Sequence, residues 1–389
     1  MPLLNNLTTK NSNRMNIDVI IVGGGLSGLT AAIHLSKSGL KVLIIEKQSF
    51  PRHKVCGEYL SQEVLPYLDW LGLDLFQKNP AIIKRVEVST IRGNLIKSKL
   101  EQGGIGISRF TLDTFMLEKA ITNGCILMQD TVLSINQLEL SARVLTEKHG
   151  LIRARKVLAA YGKRSNLDLS QNRPFLRKDS SWLGIKAHYR GNFPTDLVAL
   201  HHFRGGYCGV SKVENSIINI CYLTTYESFK KAKNIDAFQT QVMSENPFLR
   251  KLFNSCEAIF QPISIGQVSF AGKNSTESDL LMLGDTAGLI HPFCGNGMAI
   301  AIHSAKLAAE LVIENLAEGN LNSELSRKYS RLWNREFKKR IDRSKVWAAL
   351  IGNESASEIL LGALTLLPFM LPLIIKQTHG NLLTIPISC

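Results

Sequence analysis

A strand, a glycine-rich turn and a helix follow one another near the start of the chain, and this order constrains the fold more than any other feature. Residues 18–23 (DVIIVG) are a short apolar run, typical of a buried parallel strand. The turn at residues 23–28 (GGGLSG) leads into a helical pattern that ends at Gly39. Residues 41–46 (KVLIIE) have the pattern of a second apolar strand. Together these segments predict a β-α-β unit, which belongs in a parallel sheet covered by helices.

The turn has the spacing G-x-G-x-x-G through Gly23, Gly25 and Gly28, with Leu26 and Ser27 between the last two glycines. The first glycine allows a tight turn, the second lets the backbone approach a pyrophosphate, and the third lets the helix pack closely on the sheet. The helix N-terminus presents free N–H groups and the positive end of its dipole to phosphate groups. The turn therefore predicts a dinucleotide site rather than an ordinary glycine-rich connection.

A carboxylate supports the same site. Glu46 ends the second strand, and a carboxylate at this position accepts hydrogen bonds from a ribose 2′-OH and repels a 2′-phosphate. We assign Lys47, the next residue, to the same site. This half of the site does not distinguish FAD from NAD.

A second glycine-rich segment decides between the two cofactors. Residues 280–283 (LLML) predict a strand, and Asp285 at its end has a carboxylate that can hold a polyol hydroxyl. Gly295, Asn296 and Gly297 then open another helix, whose first N–H groups face outward. FAD is long enough to need this second half, whereas NAD is not, so we predict that the chain binds FAD.

The two motifs resemble the FAD-binding motifs of the geranylgeranyl reductase and aromatic hydroxylase superfamily, which is similar to the group A flavin monooxygenases. Residues 51–58 (PRHKVCGE) are similar to the K-x-C-G segment of the geranylgeranyl reductase branch. Residues 108–113 (SRFTLD) are similar to the arginine-led helix of that branch. The resemblance covers about residues 17–320 and implies an FAD-dependent oxidoreductase.

The resemblance also implies cofactor-binding roles for single residues. Arg52 and Arg109 are expected near the FAD phosphates, and Gly57 is expected beside the cofactor. The backbone of Val132 is expected to contact the adenine. For both arginines the alternative is an ordinary surface charge.

Cys56, His291 and Pro292 are expected, by the same resemblance, to face the flavin, and they are our candidate catalytic residues. For Cys56 the alternative is a small buried residue, and for His291 it is a packed loop histidine. The sequence shows no Ser-His-Asp order, paired carboxylate motif or metal cluster. The flavin must therefore carry the reaction.

One position departs from the superfamily pattern. Many of its hydroxylases carry an Asp-Gly motif in the middle of the chain that is tied to FAD and NAD(P)H handling. Here the matching place, residues 160–165 (AYGKRS), has Tyr161 where the Asp would be. NAD(P)H stays the expected electron donor, but this departure puts the external donor in doubt.

The rest of the chain completes the predicted fold. Much of residues 182–224 alternates like strands, and helical patterns return at residues 297–318 and beyond. We predict an α/β fold with a Rossmann-type FAD-binding domain, an inserted antiparallel β-sheet substrate domain and a helical C-terminus. The predicted boundaries are residues 15–78, 101–168 and 272–318 for the FAD-binding domain, 79–100 and 169–271 for the substrate domain, and 319–389 for the C-terminal region.

Two chemistries fit the resemblance. The Cys-Gly segment favours reduction of isoprenoid-type double bonds in a hydrophobic small molecule. The alternative is an FAD-dependent monooxygenase that hydroxylates an aromatic or polyketide-like substrate. A flavin halogenase is a more distant alternative, because the WxWxIP signature is absent. A non-enzymatic flavin-binding module also stays open, although a large inserted sheet suggests a substrate cavity.

Composition adds few constraints. The net charge is +14; the densest basic run, residues 327–343, predicts a solvated helix face, and the sequence contains no nucleic-acid motif. Seven cysteines without metal-ligand spacing predict a reducing cytosol, no structural disulfide and no metal. Residues 1–14 are polar and predict a frayed tail rather than a signal peptide. We expect a cytoplasmic protein and leave its oligomeric state open.

One long stretch, residues 359–375, is apolar and carries no charge. Pro368 and Pro372 argue against a straight membrane span, because each removes a helix hydrogen bond. We expect a broken apolar hairpin that caps a hydrophobic substrate channel and makes peripheral contact with the inner face of the membrane. The alternative is a pair of short helices that close the core.

Overall fold

The protein consists of three sheets and a helical C-terminal region. The computed structural model describes residues 16–178, 180–352, 354–366 and 369–385, so the predicted tail at residues 1–14 and Pro368 lie outside the described residues. The strands, in chain order, are β1 Val19–Val22, β2 Val42–Glu46, β3 Tyr59–Ser61, β4 Ala81–Ser89, β5 Leu95–Gly106, β6 Ile126–Gln129, β7 Val132–Gln137, β8 Ala142–Thr146, β9 Gly150–Ala154, β10 Lys156–Ala159, β11 Trp182–Gly191, β12 Leu197–Phe203, β13 Gly206–Lys212, β14 Ile218–Thr225, β15 Cys256–Ala258, β16 Ile263–Val268, β17 Thr276–Glu277 and β18 Leu280–Met282. The α-helices are α1 Leu26–Lys37, α2 Leu65–Trp70, α3 Arg109–Thr122, α4 Asn166–Ser170, α5 Tyr226–Lys230, α6 Ile235–Gln241, α7 Pro247–Ser255, α8 Gly297–Glu318, α9 Asn322–Trp333, α10 Lys339–Gly352, α11 Glu354–Leu366 and α12 Met370–Lys376.

The first sheet has six strands in the order β17-β18-β10-β1-β2-β6. Strand β1 pairs in parallel with both β10 and β2, so the turns that follow these strands meet at one edge of the sheet. Strands β1, β2 and β10 are buried along their whole length, as expected for a parallel sheet covered by helices. Helix α1 packs on β1 and β2, and the predicted β-α-β unit is confirmed.

The second sheet has nine strands, in the order β15-β11-β14-β13-β12-β4-β5-β3, with β16 also paired to β11. Its pairs are antiparallel except that β4 and β12 are parallel. The predicted fold class is confirmed. Strand β3 and the end of β5 lie within residues predicted for the FAD-binding domain, yet they belong to this sheet. The reason is that β3 finds its backbone hydrogen-bond partners at residues 104–106. A third, small antiparallel sheet contains β7, β8 and β9.

The C-terminal region is a long helical rod followed by two short helices. A π-helical segment, Asn334–Lys338, joins α9 to α10, so residues 322–352 form one rod. Helices α11 and α12, called the cap here, follow the rod. Leu364 and Leu371 of the cap pack against apolar side chains of β4 and β5, and Pro372 lies in the first turn of α12, where its missing N–H is tolerated. Within the described residues, no helix combines the length and the apolar character needed to cross a membrane.

A buried ion pair connects the beginning of the chain to the rod. The Glu63 side chain is inaccessible to solvent, and its carboxylate accepts a hydrogen bond from Arg340 Nη2 at 3.1 Å. Arg340 is itself only 9% exposed. A buried carboxylate needs such partners, because an unpaired charge in the interior is strongly unfavourable.

The segment after the cap, residues 377–383, is fastened to the same ion pair and is called the arm here. The Gly380 N–H donates to the Glu63 carboxylate at 2.6 Å, and the Leu383 N–H donates to the Glu63 carbonyl at 2.8 Å. The Thr378 carbonyl accepts from Arg340 Nε at 3.2 Å. The arm therefore holds the cap in place through polar contacts with distant parts of the chain.

Glu63→Ala is expected to destabilise the fold by about 3–5 kcal/mol, because it leaves the charge of Arg340 buried without a partner. The measurement is the free energy of unfolding in urea, followed by far-UV circular dichroism. Asp196→Ala, which breaks the solvent-exposed pair with Arg85, is the control and should change the stability little. An unchanged urea midpoint in Glu63→Ala would contradict the role assigned to the pair.

Candidate functional site

Both ends of the glycine turn need glycine for steric reasons. Gly23 follows β1 with a φ of 110°, and a side chain there would collide with the carbonyl of Ala160. A side chain at Gly28 would collide with the carbonyl of Gly23. Gly25 differs, because a Cβ there meets no atom within 4 Å. The turn therefore faces open space at the point where the sequence predicts a pyrophosphate.

Two helix N-termini at this site have no side-chain cap. Helix α1 begins after Gly25 and helix α8 after Asn296, and neither residue caps its helix with its side chain. The Asn296 amide is instead used by the arm, since its Nδ2 donates to the Thr378 carbonyl at 3.0 Å. Gly295, with a φ of 68°, and Gly297 flank it. Uncapped first-turn N–H groups need acceptors, and a bound nucleotide can supply them.

Glu46 is fixed to the glycine turn. Its carboxylate accepts from the Gly24 N–H at 2.8 Å and the Gln48 N–H at 3.0 Å, and Arg52 Nη2 lies 3.1 Å away. Burial alone would raise the pKa of Glu46, but Arg52 and the backbone N–H groups lower it overall, so the group is ionised. A carboxylate has about four acceptor positions, which leaves capacity for a ribose hydroxyl. Lys47, beside it, is exposed.

Asp285 lies on a braced turn after β18. Its backbone carbonyl accepts from Lys273 Nζ at 2.9 Å, and the same ammonium donates to the Lys163 carbonyl at 2.6 Å. The Gly284 N–H donates to Ser304 Oγ at 2.9 Å. Lys273 thus ties the turn after β18 to the turn after β10, and both turns lie at the edge that carries the glycine motif.

Tyr161, which occupies the position of the missing Asp, belongs to a hydrogen-bond network that holds the surrounding turn. Its hydroxyl donates to Asp168 Oδ1 at 3.2 Å, and Asp168 pairs with the buried Arg173 at 2.8 Å. Burial raises the pKa of Tyr161 above its ordinary value. The neighbouring Gly162 N–H donates to Thr286 Oγ1 at 2.8 Å. This network stabilises the turn beside Asp285. The sequence analysis missed it because its members are far apart in the chain.

The residues present fit FAD. The open space at Gly25 and the two uncapped helix N-termini provide room and N–H donors for phosphate and other anionic oxygens. Glu46 provides an ionised acceptor for a ribose. A dinucleotide requires N–H donors for its phosphates and an acceptor for its ribose, and this site has both.

The two predicted phosphate-binding arginines already have carboxylate partners. Arg52 contacts the carboxylate at the end of β2, as described above. Arg109 donates from Nε and Nη2 to the two carboxylate oxygens of Asp113 at 2.6 and 2.8 Å, and Lys54 Nζ donates to the same group at 2.7 Å. Burial would raise the pKa of Asp113, but Arg109 and Lys54 lower it overall. The phosphate contacts of both arginines stay predictions, as does that of Val132, which begins β7.

A buried carboxylate that local sequence patterns do not predict lies between β11 and the N-terminus of α3. Glu58 accepts from Lys186 Nζ at 2.6 Å and His188 Nε2 at 2.7 Å on β11, and from the Arg109 N–H at 2.7 Å. Burial alone would raise the pKa of Glu58, but the hydrogen bond from His188 and the charge of Lys186 lower it overall. The signal in the sequence is the alternation of Lys186 and His188, because polar residues two apart on a strand face the same side.

Cys56 and Gly57 precede this carboxylate on the same loop. The Cys56 carbonyl accepts from Asn219 Nδ2 at 3.2 Å, which attaches the loop to β14. The Cys56 side chain is partly exposed, and a Cβ at Gly57 would meet no atom within 4 Å. The loop is therefore attached to β14 and has free space beside Gly57. The predicted roles of Cys56 and Gly57 toward the flavin stay predictions.

An apolar cavity of about 150 Å³ lies between this loop, the nine-stranded sheet and the cap. Gly57, Cys294 and Gly295 line it from the loops that carry the predicted cofactor residues. Leu360 and Ile374 line it from the cap. None of the described residues around it is Asp, Glu, Lys or Arg. A cavity of this size accepts a benzene-sized apolar group.

Pro292 also lines the cavity, whereas His291 is packed among aromatic rings. The His291 ring centroid lies 4.5 Å from that of Phe270 and 6.2 Å from that of Trp182. Burial lowers the pKa of His291 to about 4, so the ring is neutral at pH 7. These surroundings are those of the packed loop histidine that we gave as the alternative. The catalytic roles of His291 and Pro292 stay predictions.

A family model described as an FAD binding domain matches residues 16–333. The chain is 26% identical over 354 residues to conditioned medium factor receptor 1 of Dictyostelium discoideum, with 82% of this chain and 68% of that protein covered. It is 26% identical over 353 residues to digeranylgeranylglycerophospholipid reductase 1 of Methanothermobacter thermautotrophicus, with 82% and 83% covered.

Solved structures show the same fold. The flavin-dependent brominase Bmp2 superposes with a TM-score of 0.75 at 18% sequence identity, and the match covers 94% of this chain and 93% of the brominase chain. At this identity the likeness concerns the fold alone.

Asp285→Ala is expected to weaken FAD binding about tenfold or more, because a carboxylate that holds a ligand hydroxyl contributes roughly 1.5–3 kcal/mol. The dissociation constant is measured by titrating FAD with apoprotein and following the quenching of flavin fluorescence. Asp285→Asn keeps an acceptor oxygen and should have a smaller effect. If Asp285→Ala binds FAD as tightly as the parent, the placement of Asp285 at the cofactor is incorrect.

Proposed function

The chain belongs to the FAD-binding domain family, and from this premise we propose that it reduces carbon–carbon double bonds of an isoprenoid-type lipid. Membership of this family indicates an FAD-dependent oxidoreductase. What we propose beyond this is the reaction, a reduction, and the substrate class, a lipid. FAD, once bound and reduced, would supply the hydride for such a reaction, and NAD(P)H is the proposed electron donor that would reduce it.

The apolar cavity is the observation that carries the proposal. Val198 and Leu200 of β12 line it from the sheet, and the cap lines it with aliphatic side chains. An uncharged wall offers no ion pair to a polar substrate, but it stabilises an aliphatic chain by about 25 cal/mol for each Å² removed from water. The cavity beside the Cys56–Gly57 loop therefore suits a section of a hydrophobic chain.

Two thiols line the cavity without adding charge to it. Burial raises the pKa of Cys221 and of Cys294 to about 12, so both are neutral thiols at pH 7. The thiolate, not the thiol, is the nucleophile, so neither cysteine is set up for covalent catalysis. In this proposal, the residues that line the cavity exclude water and position the double bond of the lipid.

The name of one relative supports the same substrate class. The protein from Methanothermobacter thermautotrophicus is, by its name, a reductase of digeranylgeranylglycerophospholipid, and most of both chains align. The combination of this relative with an uncharged cavity favours reduction of a lipid over hydroxylation of a polar aromatic compound.

The test is anaerobic reduction of the purified flavoprotein by NADPH or NADH, followed by mixing with a geranylgeranyl lipid or with oxygen. We expect the lipid to reoxidise the protein without oxygen, and mass spectrometry to find the hydrogenated lipid. Leu200→Trp, which fills the cavity, should slow reoxidation by the lipid about tenfold or more. A tenfold effect corresponds to a free-energy change of roughly 1.4 kcal/mol. Reduction by the donor should not change.

The control is Leu145→Trp on the small sheet, where the leucine is exposed and a larger side chain has room. Reoxidation by oxygen but not by the lipid, with no hydrogenated lipid found, would refute the reductase proposal and favour the monooxygenase alternative. A protein that no donor reduces would favour the flavin-binding module.

A further inference from the structure

The cap is apolar on its outward side as well as on the side that lines the cavity. Leu360 and Leu364 of α11 contact the cavity. On the outward side, Ile359 is 74% exposed, Phe369 is 64% exposed and Leu373 is 56% exposed. Exposed apolar groups that cluster on neighbouring elements mark a surface that binds something apolar.

The end of the rod extends this surface. Val346 and Leu350, one helical turn apart on α10, are 60% and 39% exposed, and α10 packs against α11. We call five of the exposed apolar residues at the end of the rod and in the cap the tip patch; they are Val346, Leu350, Ile359, Phe369 (which precedes α12) and Leu373.

The rod carries a strong positive charge next to the tip patch. Residues 327–345 contain nine lysines and arginines against two acidic residues. Exposed cations recur about once per turn along the rod, at Arg327, Arg331, Arg335, Lys339 and Arg343. This spacing explains the basic run that the sequence analysis interpreted as a solvated helix face.

Two acidic groups near the tip patch whose side chains the structure describes are paired. Asp342 lies 3.5 Å from Lys345, and Glu358 accepts from Asn94 Nδ2 at 3.0 Å. At the other end of the cap, Lys376 is exposed. The excess of positive charge beside the tip patch is therefore that of the rod, and this charge complements an anionic surface.

We propose that the tip patch docks on an anionic lipid bilayer. The five apolar side chains would enter the interface between head groups and acyl chains, and the cations of the rod would contact the lipid phosphates. A second copy of this chain is a poor occupant, because a two-fold contact through the tip patch would bring the two cationic rods together. An anionic bilayer offers an apolar interior to the tip patch and negative charge to the cations of the rod.

The placement of the cap has a further consequence that rests on the proposed function. The cavity of about 150 Å³ holds only a section of a long lipid chain. Because the cap carries part of the tip patch on its outward side and lines the cavity on its inward side, a docked protein would receive its substrate from the bilayer without exposing the lipid chain to water. Docking itself does not depend on turnover.

The experiment is co-sedimentation of the FAD-loaded protein with vesicles. One set is pure phosphatidylcholine, and the other is an equal mixture of phosphatidylcholine and phosphatidylglycerol. We expect binding to the anionic vesicles that falls as salt is raised, and weaker binding to the neutral ones. The double variant Phe369→Ser with Leu373→Ser should bind anionic vesicles about tenfold or more weakly, because it removes two apolar side chains from the interface.

The matched control is Phe76→Ser with Leu140→Ser, which removes two exposed apolar side chains from other parts of the surface, where they are 54% and 67% exposed. This variant should bind like the parent. A third variant, Lys339→Gln with Arg343→Gln, should lose part of the preference for anionic vesicles. Flavin absorbance and the thermal midpoint of each variant verify that it is folded.

Three outcomes would overturn the proposal. The parent binds neither kind of vesicle; the tip variant binds as well as the parent; or sedimentation velocity shows a dimer that the tip variant loses, which would assign the patch to a second copy. Vesicle binding is measured without substrate, so a failed reductase assay leaves this result intact. Conversely, a protein that reduces lipid in detergent but ignores vesicles refutes docking alone.

Discussion

The hydrogen bonds around Glu58 fix the Cys56–Gly57 loop to β11 and to the N-terminus of α3. The carboxylate follows the loop directly, and it accepts from Lys186 and His188 on β11 and from the Arg109 N–H. Removing one partner of such a buried pair typically costs about 3–5 kcal/mol, because the remaining charge has no solvent to relax it. The position of the loop beside the cavity depends on these few contacts, and their loss would free Gly57 to move away from the apolar wall.

The cavity unites three parts of the chain that are distant in sequence. Gly57 and the loop at residues 292–295 contribute one wall, the nine-stranded sheet a second, and the cap a third. Each part is held by a different kind of interaction: the loop by the Glu58 network, the sheet by its backbone ladder, and the cap by apolar packing together with the arm. The apolar character of the site therefore comes from the way these parts meet, since each part contributes only some of the apolar wall.

Local patterns predicted the parts of the fold that depend on short spacing. The glycine turn, Glu46 at the end of β2 and the helix after Asn296 all occur at the predicted ends of their strands and helices. The Glu58 and Glu63 networks were not predicted, because Lys186 and Arg340 are distant in the chain and only the tertiary fold brings them together. Composition predicted an apolar cap, but helix packing decides which side chains line the cavity and which face outward. The pairing of Arg109 with Asp113 could have been predicted, because residues four apart on a helix are neighbours.

The arm has a consequence for the order in which the protein is made. Glu63 and Asn296 leave the ribosome well before Thr378 and Gly380, the backbone groups that later contact them. The earlier parts of a chain generally fold first during synthesis, so the parallel sheet and its glycine turn can form while the cavity still lacks its third wall. During that interval the apolar surface of the second sheet that later faces the cap is exposed to solvent, and transiently exposed apolar surface is what chaperones recognise on a nascent chain.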